Sequence, residues 1–366
     1  MTIAYSGDNI QFPDLSVQDT AATGFGFKNR IINGDMRIDQ RNAGASVTPV
    51  NPQYGVDRWA YGVSQASKFT AQQSSTAPAG FIKSNLITSS SAYSSISTDY
   101  FWLEQKVEGL NCADLGWGAV GAASVTLSFW VRSSLTGSFG GALTNSAANR
   151  SYPFTFTINS SNTWEQKTIT IAGDTTGTWL TTNGIGIRVA FNLGSGSNYQ
   201  GAANTWASAF YLAPTGATSV VGTSGATFYI TGVQLEKGST ATSFDYRDYG
   251  RELAMCQRYA VVFNGADSNG ANRIGFGLAT SATKAYCLIN HPVTMRSKAS
   301  LTNTATIGVS DASTGTATTS LAVQSVVSDT NHTGIDITVA SGLTSFRSYF
   351  LEFSGPSGVF TLSAEL

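Results

Sequence analysis

Along most of this chain apolar and polar positions alternate with the period of two that belongs to half-buried strands. In VTLSFWVR, Val125, Leu127, Phe129 and Val131 point one way, and Thr126, Ser128, Trp130 and Arg132 the other. IGIRVAFNL puts Ile185, Ile187, Val189 and Phe191 on one face, and EQKTITIAG does the same with Ile169 and Ile171. The pattern predicts strands at 58–72, 81–88, 101–107, 124–132, 139–143, 152–158, 165–172, 184–191 and 227–235, with turn residues between them. A second series follows at 274–279, 285–289, 305–309, 321–328, 334–339, 348–354 and 359–362, separated by Thr/Ser/Gly/Asn turns such as SDASTGTATTS. Regular single-faced strands of this kind fit two sheets packed face to face.

Between the two series the period changes. Tyr249, Leu253, Cys256 and Ala260 recur at i, i+4, i+7 and i+11, which is one stripe of a helix, with Arg251, Glu252 and Arg258 off it. Asp248 stands where an N-cap can accept a bond from the first turn. Arg251 occupies the place where a capping box would carry Glu or Gln. A helix this short is marginal alone, so it must pack on a domain or on copies of itself. The chain therefore divides into an irregular arm at 1–28, broken by Gly7, Pro13, Gly24 and Gly26, a β-sandwich at 29–247, a linker helix at 248–262 and a small all-β domain at 263–366.

Composition narrows the class. Charged residues are 12% of the chain, about half the usual share. Short neutral polar residues replace them, as suits extracellular and virion β proteins. The net charge of −1 with no basic block argues against nucleic-acid binding, which needs a positive field to meet phosphates. Three cysteines do not make a disulfide framework. Cys256 and Cys287 read as small buried apolar residues, and Cys112 lies in a turn-like segment. The first residues lack the regions of a secretory signal. No apolar run approaches the ~20 residues of a membrane span. The protein is expected to be made in a cytoplasm.

Three pieces carry a family resemblance. VQLEKGSTATSFDYRDYGRELAMCQRY (233–259) resembles a segment of phage tail-fibre and receptor-binding proteins that joins a jelly-roll domain to a C-terminal β domain. NRIINGDMRIDQRNAG (29–44) with YGVDRWAYG (54–62) resembles the opening of the same jelly rolls. NHPVTMRSKASLT (290–302) resembles a piece of the C-terminal domain, with Ala299 where that pattern usually has a second proline. The strand order also resembles carbohydrate-binding modules of the galactose-binding-like jelly-roll type. The resemblance implies an all-β virion fibre protein, attached through its N-terminal arm to other virion proteins and forming a homotrimer through its C-terminal domain. It also implies a structural calcium near a sheet edge, although the scattered acids do not assemble six oxygen ligands from spacing alone, and no other cofactor is expected.

Sugars are held by aromatic platforms with polar groups beside them. The loop aromatics flanked by Gly, Ser, Asn or Thr are Trp117, Trp179, Tyr199 and Trp206, and GSGSNYQGAANTW is the leading contact loop. For any one of these rings the plainer reading is a ring that plugs an end of the sandwich. Trp59, Trp102 and Trp130 fall inside strands and read as core or sheet-face residues. His291 and His332 read as surface or turn residues in no triad or metal spacing. No nucleophile or nucleotide motif occurs in a usable setting. The carboxylate pairs Glu104/Glu108 and Glu236/Asp245 show nothing suggestive of a glycosidase. No internal repeat of a β-helix is seen. The expectation is a non-catalytic adhesin for host-surface polysaccharide. The alternatives are a structural virion component without glycan binding, and a polysaccharide depolymerase.

Overall fold

The computed structural model describes residues 27–265, 272–311 and 313–366, with the backbone of three short strands nearer the start. Those three, β1 (Ala4–Ser6), β2 (Asn9–Gln11) and β3 (Val17–Gln18), pair antiparallel within the arm expected to be irregular. The rest of the arm up to residue 26 lies outside the described residues.

The sandwich is built from β4 (Gln53–Tyr54), β5 (Ala60–Val63), β6 (Phe69–Ser74), β7 (Ser84–Ser89), β8 (Tyr100–Glu108), β9 (Val125–Ser133), β10 (Gly137–Thr144), β11 (Ser151–Ile158), β12 (Glu165–Ile171), β13 (Ile185–Ser195) and β16 (Thr227–Lys237). A small parallel pair, β14 (Gln200–Gly201) and β15 (Ala213–Pro214), lies between the last two. One sheet has six strands in the order β11-β10-β13-β8-β5-β4, the other five in the order β12-β9-β16-β7-β6. The predicted strand 58–72 is two strands, because the chain turns through Ser64–Lys68 and crosses from one sheet to the other.

The alternating faces meet as expected. Val125, Leu127, Phe129 and Val131 are wholly buried, as are Val189, Phe191 and Leu193 from the facing sheet. Phe129 joins the layers, with its ring centroid 5.0 Å from both Phe156 and Phe191. In β16 a bulge interrupts the register between Thr231 and Gln234, and Gly232 there takes φ +62°. The bulge receives the opening segment. Val233 N donates to Gly34 O at 2.9 Å, and Asn29 bonds both Val233 O and Leu235 N.

The helix α1 (Tyr249–Gln257) is shorter than the predicted 248–262, since the chain re-enters a strand at Ala260. Asp248 caps it, accepting from Arg251 N at 2.9 Å. The stripe is turned from the expected one: Cys256 is buried, but Tyr249 is 56% exposed and Glu252 is buried. Glu252 is drawn in because it accepts from Asn33 N and pairs with Arg247. Among the described residues no helix is long and apolar enough to cross a membrane.

The second domain comprises β17 (Ala260–Asn264), β18 (Arg273–Ala279), β19 (Lys284–Asn290), β20 (Ser300–Asn303), β21 (Ile307–Ser310), β22 (Gly315–Val323), β23 (His332–Val339), β24 (Ser348–Phe353) and β25 (Val359–Ser363). Six strands close a barrel in the order β18-β19-β23-β22-β21-β24, and β17-β25-β20 form a small sheet beside it. Half of the expected turn SDASTGTATTS is strand. Asp311 tightens the turn by accepting from Ser313 N and Thr314 N, and the Thr-rich remainder enters β22. His332 opens β23 rather than sitting in a turn, and half-buried His291 bonds Thr330 O and Thr333 Oγ1.

The domains are stapled together. Glu108, buried at the end of β8, accepts from Arg258 at 2.7 and 3.1 Å and from the Tyr259 hydroxyl at 2.7 Å. The buried Arg58 guanidinium lies over the Tyr259 ring at 3.5 Å and pairs with Glu365. Lys106 Nζ and the Tyr54 hydroxyl both donate to Leu366 O, at 2.6 and 3.0 Å. Arg296 donates to Asn183, Ala364 and Glu365 carbonyls. The recognisable sequence runs thus converge on one joint.

Candidate functional site

Three of the four predicted aromatics meet at one end of the sandwich. Trp117 follows the 3-10 turn Ala113–Leu115, Trp179 stands on the loop after β12, and Trp206 on the long loop between β14 and β15. Their rings pack edge to face, with centroids 4.7 Å apart for Trp117–Trp179, 5.4 Å for Trp117–Trp206 and 5.5 Å for Trp179–Trp206. All three are half-buried and rest on the main core.

Each indole N–H is used internally. Trp117 donates to Ala123 O at 2.7 Å, Trp206 to Ala172 O at 2.8 Å, and Trp179 to Asp174 Oδ2 at 3.2 Å. Ring orientation is therefore set by the protein, and a ligand can engage the triad only through ring faces and edges. An apolar dent beside Trp117 and Trp179 holds about 30 Å³, the room of one water rather than a sugar ring.

Polar groups stand beside the rings. Arg150 reaches Asp174 with two bonds, of 2.8 and 2.6 Å, donates to Ser208 Oγ at 2.9 Å and lies over Trp206 at 5.9 Å. Burial would raise the Asp174 pKa, but the Arg150 fork, Thr176 N–H and the Trp179 indole outweigh it and hold the carboxyl below its usual range. Sequence reasoning missed Arg150 and Asp174. Both sit beside turns in unremarkable contexts, and only their pairing in space gives them a role.

Tyr199, the fourth predicted residue, lies apart from the triad. It packs with Tyr100, Trp102 and Phe210 on the outer face of the six-stranded sheet, where the loop carrying β14 and β15 crosses it. Tyr100 stacks on Trp102 at 4.5 Å, and Gly62 lies directly beneath the indole, where a Cβ would come within 2.2 Å of it. Trp102 and Tyr199 are thus props for that loop, while Trp59 is core and Trp130 stands on the outer face of the other sheet. Glu104, on the outer face of the six-stranded sheet with Trp102, sits 3.0 Å from Arg188, and Glu236 accepts from Gln234 and Thr242. The carboxylates that looked like neighbours in sequence are held by internal partners.

A roomier cleft lies elsewhere. About 650 Å³ opens between β20 and β22, lined by hydroxyls and Asn303 over Leu301, Ile307 and Leu321, with neither ring nor charge. It offers less to a saccharide than the triad does. Among the described residues no three His, Cys, Asp or Glu side chains converge as cation ligands.

No family model matches the sequence, and no curated protein matches it either. Solved structures with partial likeness include the enzymatically active domain of bacteriophage CBA120 tailspike protein 4, with 10% identity and a TM-score of 0.34 over 57% of this chain and 21% of that one. Others are the family 11 carbohydrate-binding module of Clostridium thermocellum with a mixed-linked tetrasaccharide (10%, 0.28, covering 56% and 100%) and that organism's xylanase 10B CBM22-1–GH10 modules with xylohexaose (9%, 0.30, covering 58% and 29%). The chain spans about a fifth of the tailspike domain. With every score below 0.5 these likenesses carry no argument. The all-β sandwich and barrel stand on the strand pairing described above.

Proposed function

We propose that this protein is a non-catalytic, glycan-binding fibre component of a phage particle, working in several copies and attached to other virion proteins through its N-terminal arm. The carrying observation is the tryptophan triad, in which three rings from three loops are locked in orientation beside an Arg150–Asp174 pair. Rings fixed in advance need no ordering when a sugar stacks on them. Their spent N–H groups leave hydrogen bonding to the neighbouring guanidinium, carboxylate and hydroxyls. Weak single sites gain avidity on a particle that carries many. The phage context comes from the three sequence runs that resemble fibre proteins, and three is the copy number they imply.

The test is saturable binding of the purified protein to host cells before and after enzymatic removal of surface polysaccharide. Binding should vanish after removal, and Trp206→Ala should weaken it at least about tenfold, with Trp206→Phe recovering part of the loss. A second reading has its own support, since edge-to-face packing on the core is also how rings close the end of a sandwich against another virion subunit. Variants that lower the melting temperature but leave cell binding unchanged would favour that structural role. Shortening of the polysaccharide by the protein alone would mean a depolymerase instead.

A further inference from the structure

The outer wall of the barrel carries an apolar stripe that the triad reading does not use. Leu288, Phe276 and Phe350 lie in one register row across β19, β18 and β24. The next row adds Tyr286 and Leu278. Phe276 is 55% exposed, and Leu278, Leu288 and Val327 are each more than a third exposed. Val327 approaches from the β22–β23 loop, since a Cβ on Gly334 would meet both its side chain and the Tyr286 ring. The interior of the same strands is filled by Ala285, Cys287, Ile289 and Leu351, so these rings are not needed by the barrel's own core.

We infer that this wall is buried between copies of this chain. Exposed apolar area in the stripe is on the order of 300–400 Å², the size of the largest patch on a typical monomer, and patches of that size often serve as binding surfaces. That is about half of the ~800 Å² one partner gives to a standard interface, the proportion expected of an apolar centre inside a polar rim. The rim carries both signs equally. Arg273 and Glu352 pair at 3.6 Å on one side, and Lys284 and Asp336 flank a groove of about 250 Å³ beside Tyr286 on the other. A charge-balanced rim suits a surface that meets its own kind, whereas an acidic partner or an anionic surface would call for one sign. A knob of Phe276 and Phe350 beside a groove on the adjacent strands is also the geometry of a ring, in which each copy offers its knob to the next.

This names the partner surface of the multicopy reading above and rests on it. Sedimentation velocity of the full chain over a concentration series tests both. An oligomer is expected, and Phe276→Lys or Leu288→Lys should raise the concentration needed for assembly at least about tenfold. Hydroxyl-radical footprinting of the unaltered protein needs no variant, and should show Phe276, Phe350 and Leu288 protected as concentration rises. Val120→Lys, at a 97% exposed apolar site on the sandwich, should leave assembly unchanged. A chain that stays monomeric throughout overturns both the interface and the multicopy reading. An oligomer indifferent to both lysine variants, with the stripe unprotected, overturns this surface alone.

Discussion

Replacing Arg258 by alanine tests the joint between the domains most sharply. Glu108 is 1% exposed and has three donors: two guanidinium bonds from Arg258 and one from the Tyr259 hydroxyl. Arg258→Ala leaves a buried carboxylate with one donor, and breaking a buried pair in this way costs about 3–5 kcal/mol. Arg258 keeps a third of its side chain in water, which puts the expectation at the low end, about 3 kcal/mol. Glu108→Ala removes the buried charge itself but orphans a fully buried tyrosine hydroxyl, costing about 1–3 kcal/mol. Tyr259→Phe loses one charge-assisted bond and keeps the ring over which Arg58 lies, about 1–2 kcal/mol. The assay is urea unfolding followed by circular dichroism and tryptophan fluorescence. The order of loss should be Arg258→Ala, then Glu108→Ala, then Tyr259→Phe, with the two probes separating in the first variant as the domains uncouple. In the double variant Glu108→Ala/Arg258→Ala the losses should fall short of additivity by about 1–2 kcal/mol. An Arg258→Ala protein no less stable than Tyr259→Phe, or additive losses, would refute a joint held by a buried charge.

Two further outcomes follow from the same geometry. The Asp174 carboxyl is held below its ordinary value, so the stability it lends the triad loops is present above the unfolded aspartate pKa of about 3.9 and is lost as pH falls through the lower folded value; indole fluorescence should change in that acid window, and the change should be absent in Asp174→Asn. Phe129→Ala, at the contact between the two sheets, should cost about 3–5 kcal/mol in urea unfolding, and a loss below about 1 kcal/mol would mean that the ring does not join the layers.

Much of the fold was legible because burial on one face imposes the period of two. Where both faces are occupied the signal fades. Tyr100 and Trp102 alternate with core residues yet are covered by a loop, so β8 reads as apolar or mixed on both sides. The helix stripe failed at Glu252 because a buried carboxylate serves a distant backbone N–H, which no local pattern encodes. The candidate site was half legible. Glycine and small polar neighbours mark Trp117, Trp179 and Trp206 as loop rings, but the same neighbours mark Tyr199, and only the loop's path separates it from them.

The joint also fixes a distance. Glu365 and Leu366 are bonded to Arg58, Lys106 and Tyr54 of the sandwich, with no slack linker between the domains. Each sandwich is therefore bonded directly to its barrel. In an assembly held through the barrels, the spacing between tryptophan ends would be a constant of the particle rather than an average over a flexible tether. On the glycan-binding reading proposed above, such an array would act as a ruler, favouring surfaces whose sugar repeats recur at that interval and gaining little from the same sugars at another.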